Sequence, residues 1–255
     1  MKPWHCAWIR DRRALCAAVL LGSAVAGSTA RAEPVRAVVE LFTSQGCGAC
    51  RTAEPVLRDL SRQPGVVALT LPVTYWDYLG WKDTLASRPL TERQRGYARS
   101  RGGRQVFTPQ AVVDGSGVAV GSDITALDRL MRDSSQRGGL PIAVRSEARG
   151  DRIYVEIGAA PEAKAEMRGE VWLVPVLRRR AVAIQAGENG GRSVTYVNVV
   201  RGLQHLGHWN GQALTLDVPD TQAEIADADS WVVLLQGGGE NRPGHIFGAA
   251  KGPGL

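Results

Sequence analysis

The sequence predicts an α/β fold followed by a β-rich C-terminal domain, and three observations carry this expectation. Between residues 33 and 138, short β-branched runs alternate with stretches of helical spacing, as in strands and helices stacked in layers. From Ile142 onward only short strand-like runs recur, separated by Gly, Asn, Asp and Pro, which suits an antiparallel sandwich or an extension of a sheet. The pattern changes at Gly138-Gly139, so the expected domains are 33–138 and 139–255.

Residues 1–32 read as a signal peptide. MKPWHCAWIRDRR is a basic opening, ALCAAVLLGSAVAG is an apolar run of leader length, and Ala30-Arg31-Ala32 fits a small-x-small cleavage site. The apolar run is shorter than the roughly 18 to 20 residues that a spanning helix needs. A periplasmic or secreted protein is expected, in contact with a membrane only during export. Arg12-Arg13 leaves both the general and the twin-arginine export routes open.

Removing the leader changes two composition figures. Of the formal charge of +6, residues 1–32 hold five basic side chains and one acidic one, leaving +2. No basic patch remains to argue for nucleic acid as a partner. Of four cysteines, Cys6 and Cys16 leave with the leader, so only Cys47 and Cys50 remain.

The elements follow in order. RAVVELFT (residues 36–43) is a strand, and helical spacing begins after Cys47, with Ala53, Val56, Leu57 and Leu60 on one face before Pro64-Gly65. VVALTLPV is a second strand. TYWDYLGWKDTLASRPL, residues 74–90, is aromatic and rich in turn formers, and is expected to be an inserted loop with Asp77, Lys82 and Asp83 on its solvated edge. A helix is expected from about Thr91, as a capping residue, to Ser100. QVFTPQAVVDGSGVAVGS holds two strands around an Asp-Gly turn, and a helix capped by Asp123 follows through Ile124, Leu127, Leu130 and Met131. The second half supplies the strands IAVRSEA, RIYVEIGA, EVWLVPVLRR, SVTYVNVVRG, QALTLDVP and SWVVLLQG.

LFTSQGCGACRT places Cys47 at a strand-to-helix junction. Free N–H groups and the positive helix end favour a thiolate there, so Cys47 is the expected nucleophile. Cys50, one turn further on, is the expected resolving thiol. A structural disulfide and a metal clip are the competing readings, although so short a loop removes little unfolded-state entropy.

CGACRTAEPVL is similar to the active-site stretch of thioredoxins, with a basic residue after the second cysteine and a proline five positions on, at Pro55. FTSQGC resembles the approach in glutaredoxins. VFTPQAVV matches the element that carries a cis-proline facing the cysteines in both families, at Thr108-Pro109. The resemblance implies a thioredoxin-like fold over 33–138 and catalytic roles for Cys47, Cys50 and Pro109. Thr108 would hold an extended substrate through its backbone. Trp76, Tyr78 and Trp81 either form an aromatic wall that grips a polypeptide or pack the loop onto the domain. VELFTSQGC, TYWDYLGWKD, VFTPQAVVDG, AGENGGRSVTYVNVVRGL and HIFGAA together resemble a narrower group, exported bacterial thioredoxin-like proteins known as the 1223 family of unknown function.

The chain departs from thioredoxin where Ala49 replaces a proline and where Glu40 stands one position from the buried aspartate of that family. A shift of one reverses the face on a strand, so Glu40 is expected to be a strand-end polar group. The expected function is thiol-disulfide exchange on protein thiols or disulfides with an unidentified redox partner and no cofactor. The alternative is a non-enzymatic protein that binds copper, zinc or a partner. His205 and His208 in HLGH have ligand-like spacing and with the cysteines would make a Cys2His2 set, but they read as surface residues in a turn beside Trp209 and Asn210. No metal site is assigned from the sequence. GENGGRSVTYVNVVRG, with Glu188, Asn189, Arg192, Asn198 and Arg201, reads either as a binding surface or as a hairpin held by Glu-Arg and Asn-backbone bonds.

Overall fold

The computed structural model describes residues 33–225, 227–239 and 241–255, and the expected leader at 1–32 lies outside the described residues. Strand β1 (Ala37–Thr43) is AVVELFT, buried at all seven positions, as expected for a strand covered on both faces. It pairs in parallel with β2 (Val66–Pro72) and antiparallel with β3 (Gln110–Val113), which turns into β4 (Gly117–Val120). The turn between β3 and β4 is the expected Asp-Gly pair, with φ +48 at Asp114 and +72 at Gly115.

Alternate β1 side chains divide between two helical layers. Ala37, Val39 and Leu41 pack with Leu57 and Leu60 of α1 (Ala53–Ser61) and with Leu127 and Met131 of α3 (Ile124–Gln136). Val38 and Phe42 pack with Leu90 and Tyr97 of α2 (Arg88–Ser100) on the other face. Asp123 caps α3 as expected, its Oδ1 accepting from the Ala126 N–H at 3.0 Å. Helix α2 starts earlier than expected: Ser87 is the N-cap, Pro89 occupies the first turn, and Thr91 is buried inside it. The Thr91 hydroxyl accepts from the Thr74 N–H at 3.0 Å, so it fastens the 74–90 loop and does not cap.

The expected boundary near Gly138 is crossed by one sheet. Strand β7 (Gly169–Ile184) is 16 residues long and pairs along one edge with β11 (Ser230–Gly239), which continues to β12 (Arg242–Lys251). Its other edge pairs first with β9 (Gln204–Trp209) and then with β8 (Arg192–Val200). β8 meets β2 in parallel at Thr70 and Val199, giving the order β12-β11-β7-β8-β2-β1-β3-β4. Asn198 secures this junction: at φ +48, its side-chain amide donates to the Ala68 carbonyl at 2.9 Å. Strands β5 (Val144–Arg149), β6 (Arg152–Ile157) and β10 (Leu214–Pro219) form a second, three-stranded sheet. Ile153, Val155 and Ile157 from it share a core with Val171, Leu173, Val233 and Leu235. The second half is thus both an extension of the first sheet and a partial sandwich.

Three sequence expectations are corrected. QHLGHW is strand β9 and RPGHIFGAAK is strand β12, where neither was expected. Glu40 is no strand-end group: it is buried in mid-β1, bound by Arg93 at 2.6 and 3.2 Å and by the Tyr97 hydroxyl. Gln236 of β11 joins this network through Arg93 at 3.0 Å, so the charge of Glu40 is neutralised on the α2 face, away from α1. Asp83 is not solvated: it is buried and accepts from the N–H groups of Gln45, Leu85 and Ala86.

Candidate functional site

Cys47 follows β1 after a tight turn in which its own N–H donates to the Ser44 carbonyl at 3.2 Å. It is the N-cap of a single 3-10 turn (Gly48–Thr52) that runs into α1, and it is joined to Cys50 as a disulfide with a Cα–Cα distance of 5.4 Å. Pro109 follows Thr108 through a cis peptide bond. The Thr108 carbonyl oxygen lies 3.8 Å from Cys47 Sγ, within reach of a thiol S–H once the disulfide is reduced. Sequence and structure therefore bring together Cys47, Cys50, Thr108 and Pro109.

The 74–90 loop supports this group from one side. The Trp76 indole N–H donates to the Thr108 hydroxyl at 2.7 Å, and the Trp81 indole N–H donates to Gln45 Oε1 at 2.8 Å. Both indoles thus tie the loop to the segments flanking the cysteines. Tyr78 is 79% exposed and touches neither segment through a hydrogen bond among the described residues.

The tip of the β7–β8 hairpin closes the site from the other side. Glu188 Oε2 accepts from the Gly48 N–H at 2.8 Å. The buried Asn189 amide donates to the carbonyls of both Gln45 and Cys47 at 2.9 Å. A Cβ at position 48 would come within 2.7 Å of the Glu188 carboxylate, so a larger residue there would push Glu188 aside. In consequence Cys47 is only 1% and Cys50 only 2% exposed. The first free N–H of the helical turn, which would favour a Cys47 thiolate, is already taken by a carboxylate.

A buried acidic group follows the disulfide on α1. Glu54 follows Cys50 by four residues, one helical turn, and its Oε1 accepts from the Thr43 hydroxyl at 2.7 Å. Glu54 Oε2 has no hydrogen-bond partner among the described residues. Burial pushes the Glu54 carboxyl up from 4.5 to about 7, against the opposing effect of the Thr43 hydrogen bond. Burial likewise raises Asp83, and raises the Tyr196 phenol of β8 with help from the charges of Glu54 and Asp83. The sequence reading missed Glu54, although its spacing from Cys50 on a helix was a legible signal.

His205 and His208 do not approach the cysteines. They lie on β9, beside Glu170 at the start of β7, whereas the tip that covers Cys47 follows the end of β7 at Ile184. Fourteen residues of strand separate Glu170 from Ile184, roughly 45 Å of backbone at 3.3 Å per residue. The Cys2His2 set is excluded by that separation.

These features define an α/β protein built on a large, mostly β sheet, with a disulfide-closed C-x-x-C pair just after strand β1. The chain belongs to the family described as protein of unknown function DUF1223, whose model matches residues 38–236. A crystal structure of a protein from Agrobacterium tumefaciens, solved in a structural-genomics programme, is 34% identical with a TM-score of 0.78, over 88% of this chain and 96% of that one. A structure described as HBP35 of Porphyromonas gingivalis is similar in fold alone, at 12% identity and a TM-score of 0.60, over 86% of this chain and 74% of that one. No curated protein matches the chain.

Proposed function

We propose that this protein is an exported thiol-disulfide oxidoreductase with a thioredoxin-like catalytic half, acting on protein thiols or disulfides. The observation that carries the reading is the Cys47–Cys50 disulfide at the start of a helical turn, with the carbonyl before cis-Pro109 at 3.8 Å from Cys47 Sγ. The parallel β1–β2 pair, the β3–β4 hairpin and helices on both faces support the thioredoxin-like assignment.

In the reducing direction the Cys47 thiolate attacks one sulfur of a substrate disulfide, forming a mixed disulfide and releasing one substrate thiolate. The Cys50 thiolate then attacks Cys47 Sγ, which closes the Cys47–Cys50 bond and releases the second substrate thiolate. Two electrons pass from the pair to the substrate, and an unidentified redox partner returns them. Glu54, four residues after Cys50 with its pKa raised to about 7, is part ionised near neutrality, and its carboxylate form is the group proposed to take the Cys50 proton. Because both sulfurs are covered, a protein substrate must displace the 188–189 tip before it reaches them.

Insulin reduction and refolding of scrambled ribonuclease test the proposal, with Cys47→Ser and Cys50→Ser as controls. Activity in the wild type that both substitutions abolish is the expected outcome. Equal inertness of all three in both assays would sink the reading. The reduction potential then sets the direction: about −120 mV marks an oxidant and about −270 mV a reductant.

A further inference from the structure

We propose that Glu170, His205 and His208 form a binding site for a divalent cation of the zinc and copper(II) class. One ligand atom from each residue lies within 4.8 Å of the other two. Glu170 Oε2 is 2.5 Å from His205 Nε2 and 2.8 Å from His208 Nδ1, and the two imidazole centroids are 5.0 Å apart.

This convergence depends on an irregularity in strand pairing. Side chains alternate along a strand, so residues 205 and 208, three apart, belong on opposite faces of a regular β9. The ladder between β7 and β9 shifts register between Val171 and Trp172: Val171 pairs with Gly207, and Trp172 with His205. Leu206 is the extra residue of a β-bulge, and Gly207 has φ +148, a conformation that side chains disfavour. The inserted residue reverses the alternation. His208 comes opposite Glu170, and His205 opposite Trp172 two residues on, so both imidazoles share the face of Glu170. The Trp172 ring packs on His205, with centroids 5.1 Å apart, and orients it. Bulges that re-aim side chains are common at functional sites.

The donor set selects the ion. Two imidazole nitrogens and one carboxylate oxygen suit zinc or copper(II), whereas magnesium and calcium require oxygen ligands. Three protein donors leave coordination positions for water or a small ligand. The Glu170 charge offsets part of the cation's charge. The site does not involve thiol chemistry, so it stands or falls apart from the proposed oxidoreductase activity.

Calorimetric titration of the chain with zinc chloride, its Cys47–Cys50 disulfide intact, tests the site, with His208→Ala, the double variant His205→Ala/His208→Ala and Glu170→Gln as comparisons. The His208 side chain is 80% exposed, so His208→Ala leaves the fold in place. The expected result is one zinc equivalent that the double variant loses. His208→Ala and Glu170→Gln should weaken binding by at least about tenfold, and magnesium should give no heat. Copper(II) should show nitrogen hyperfine structure in its paramagnetic resonance spectrum that disappears in the double variant. Zinc binding that is absent, or that the double variant retains unchanged, overturns the proposal.

Discussion

Glu54 is a single buried carboxyl whose protonation can be read out as stability. A group whose pKa rises from 4.5 to about 7 on folding favours its protonated form by about 3 kcal/mol in the folded chain. Because the folded value is raised, this contribution is fully present below about pH 4.5. It falls as the unfolded chain ionises and the folded one does not, and it is gone once pH passes about 7. Glu54→Gln keeps an acceptor for Thr43 and cannot ionise, so its stability should lack this component. Urea denaturation at pH 5 and pH 8, with the disulfide intact, should show the wild type losing about 2 to 3 kcal/mol more than the variant over that interval. Asp114, also raised by burial, acts in both proteins and cancels in the difference, whereas Asp83, whose charge contributes to raising Glu54, is coupled to it. Equal pH dependence in the two proteins would refute the assignment of a neutral Glu54 at the core of the site.

Three further outcomes follow from the site and its support. Glu188→Ala removes a negative charge and frees the Gly48 N–H at the end of the turn that favours a Cys47 thiolate, so iodoacetamide should alkylate reduced Cys47 about two- to fivefold faster. An unchanged rate would mean that Glu188 does not sense the cysteine. Asn189→Ala leaves the Gln45 and Cys47 carbonyls without their buried donor; it should cost about 1 to 3 kcal/mol in urea denaturation and speed reduction of the disulfide by dithiothreitol. Slow reduction at the wild-type rate would show that the hairpin tip does not guard the sulfurs. Arg93→Met strands the Glu40 carboxylate in the core and should cost about 3 to 5 kcal/mol, whereas the double variant with Glu40→Gln should recover part of that loss. A double variant no more stable than Arg93→Met, measured by thermal unfolding, would contradict this account of the network.

Much of the fold was written locally. The β-branched runs of β1, β2 and β11, the Asp-Gly turn at 114–115 and the Asp123 cap each depend on residues within a few positions of one another. The same holds for the spacing of Cys47 and Cys50, whereas Pro109 was marked by the resemblance of VFTPQAVV to the cis-proline element of thioredoxins. Expectations went astray where a remote contact overrides local preference. Asp83 looks like a loop charge but is buried against the remote Gln45 N–H as well as its neighbours Leu85 and Ala86, and Glu40 is held in mid-strand by an arginine 53 residues away. QHLGHW was missed as a strand because its glycine, which signals a turn, here serves a bulge.

The sequence by itself determined most of the strands and helices of residues 33–138 and the cysteine pair at a strand-to-helix junction, because each follows from short-range chemistry. Tertiary structure alone decided that residues 188 and 189 of a remote hairpin cover that pair and that Glu54 is buried. It also decided that Glu170 joins His205 and His208. Each of these depends on strand register and on packing between segments far apart in the chain, and a shift of a single residue in register moves a side chain to the opposite face.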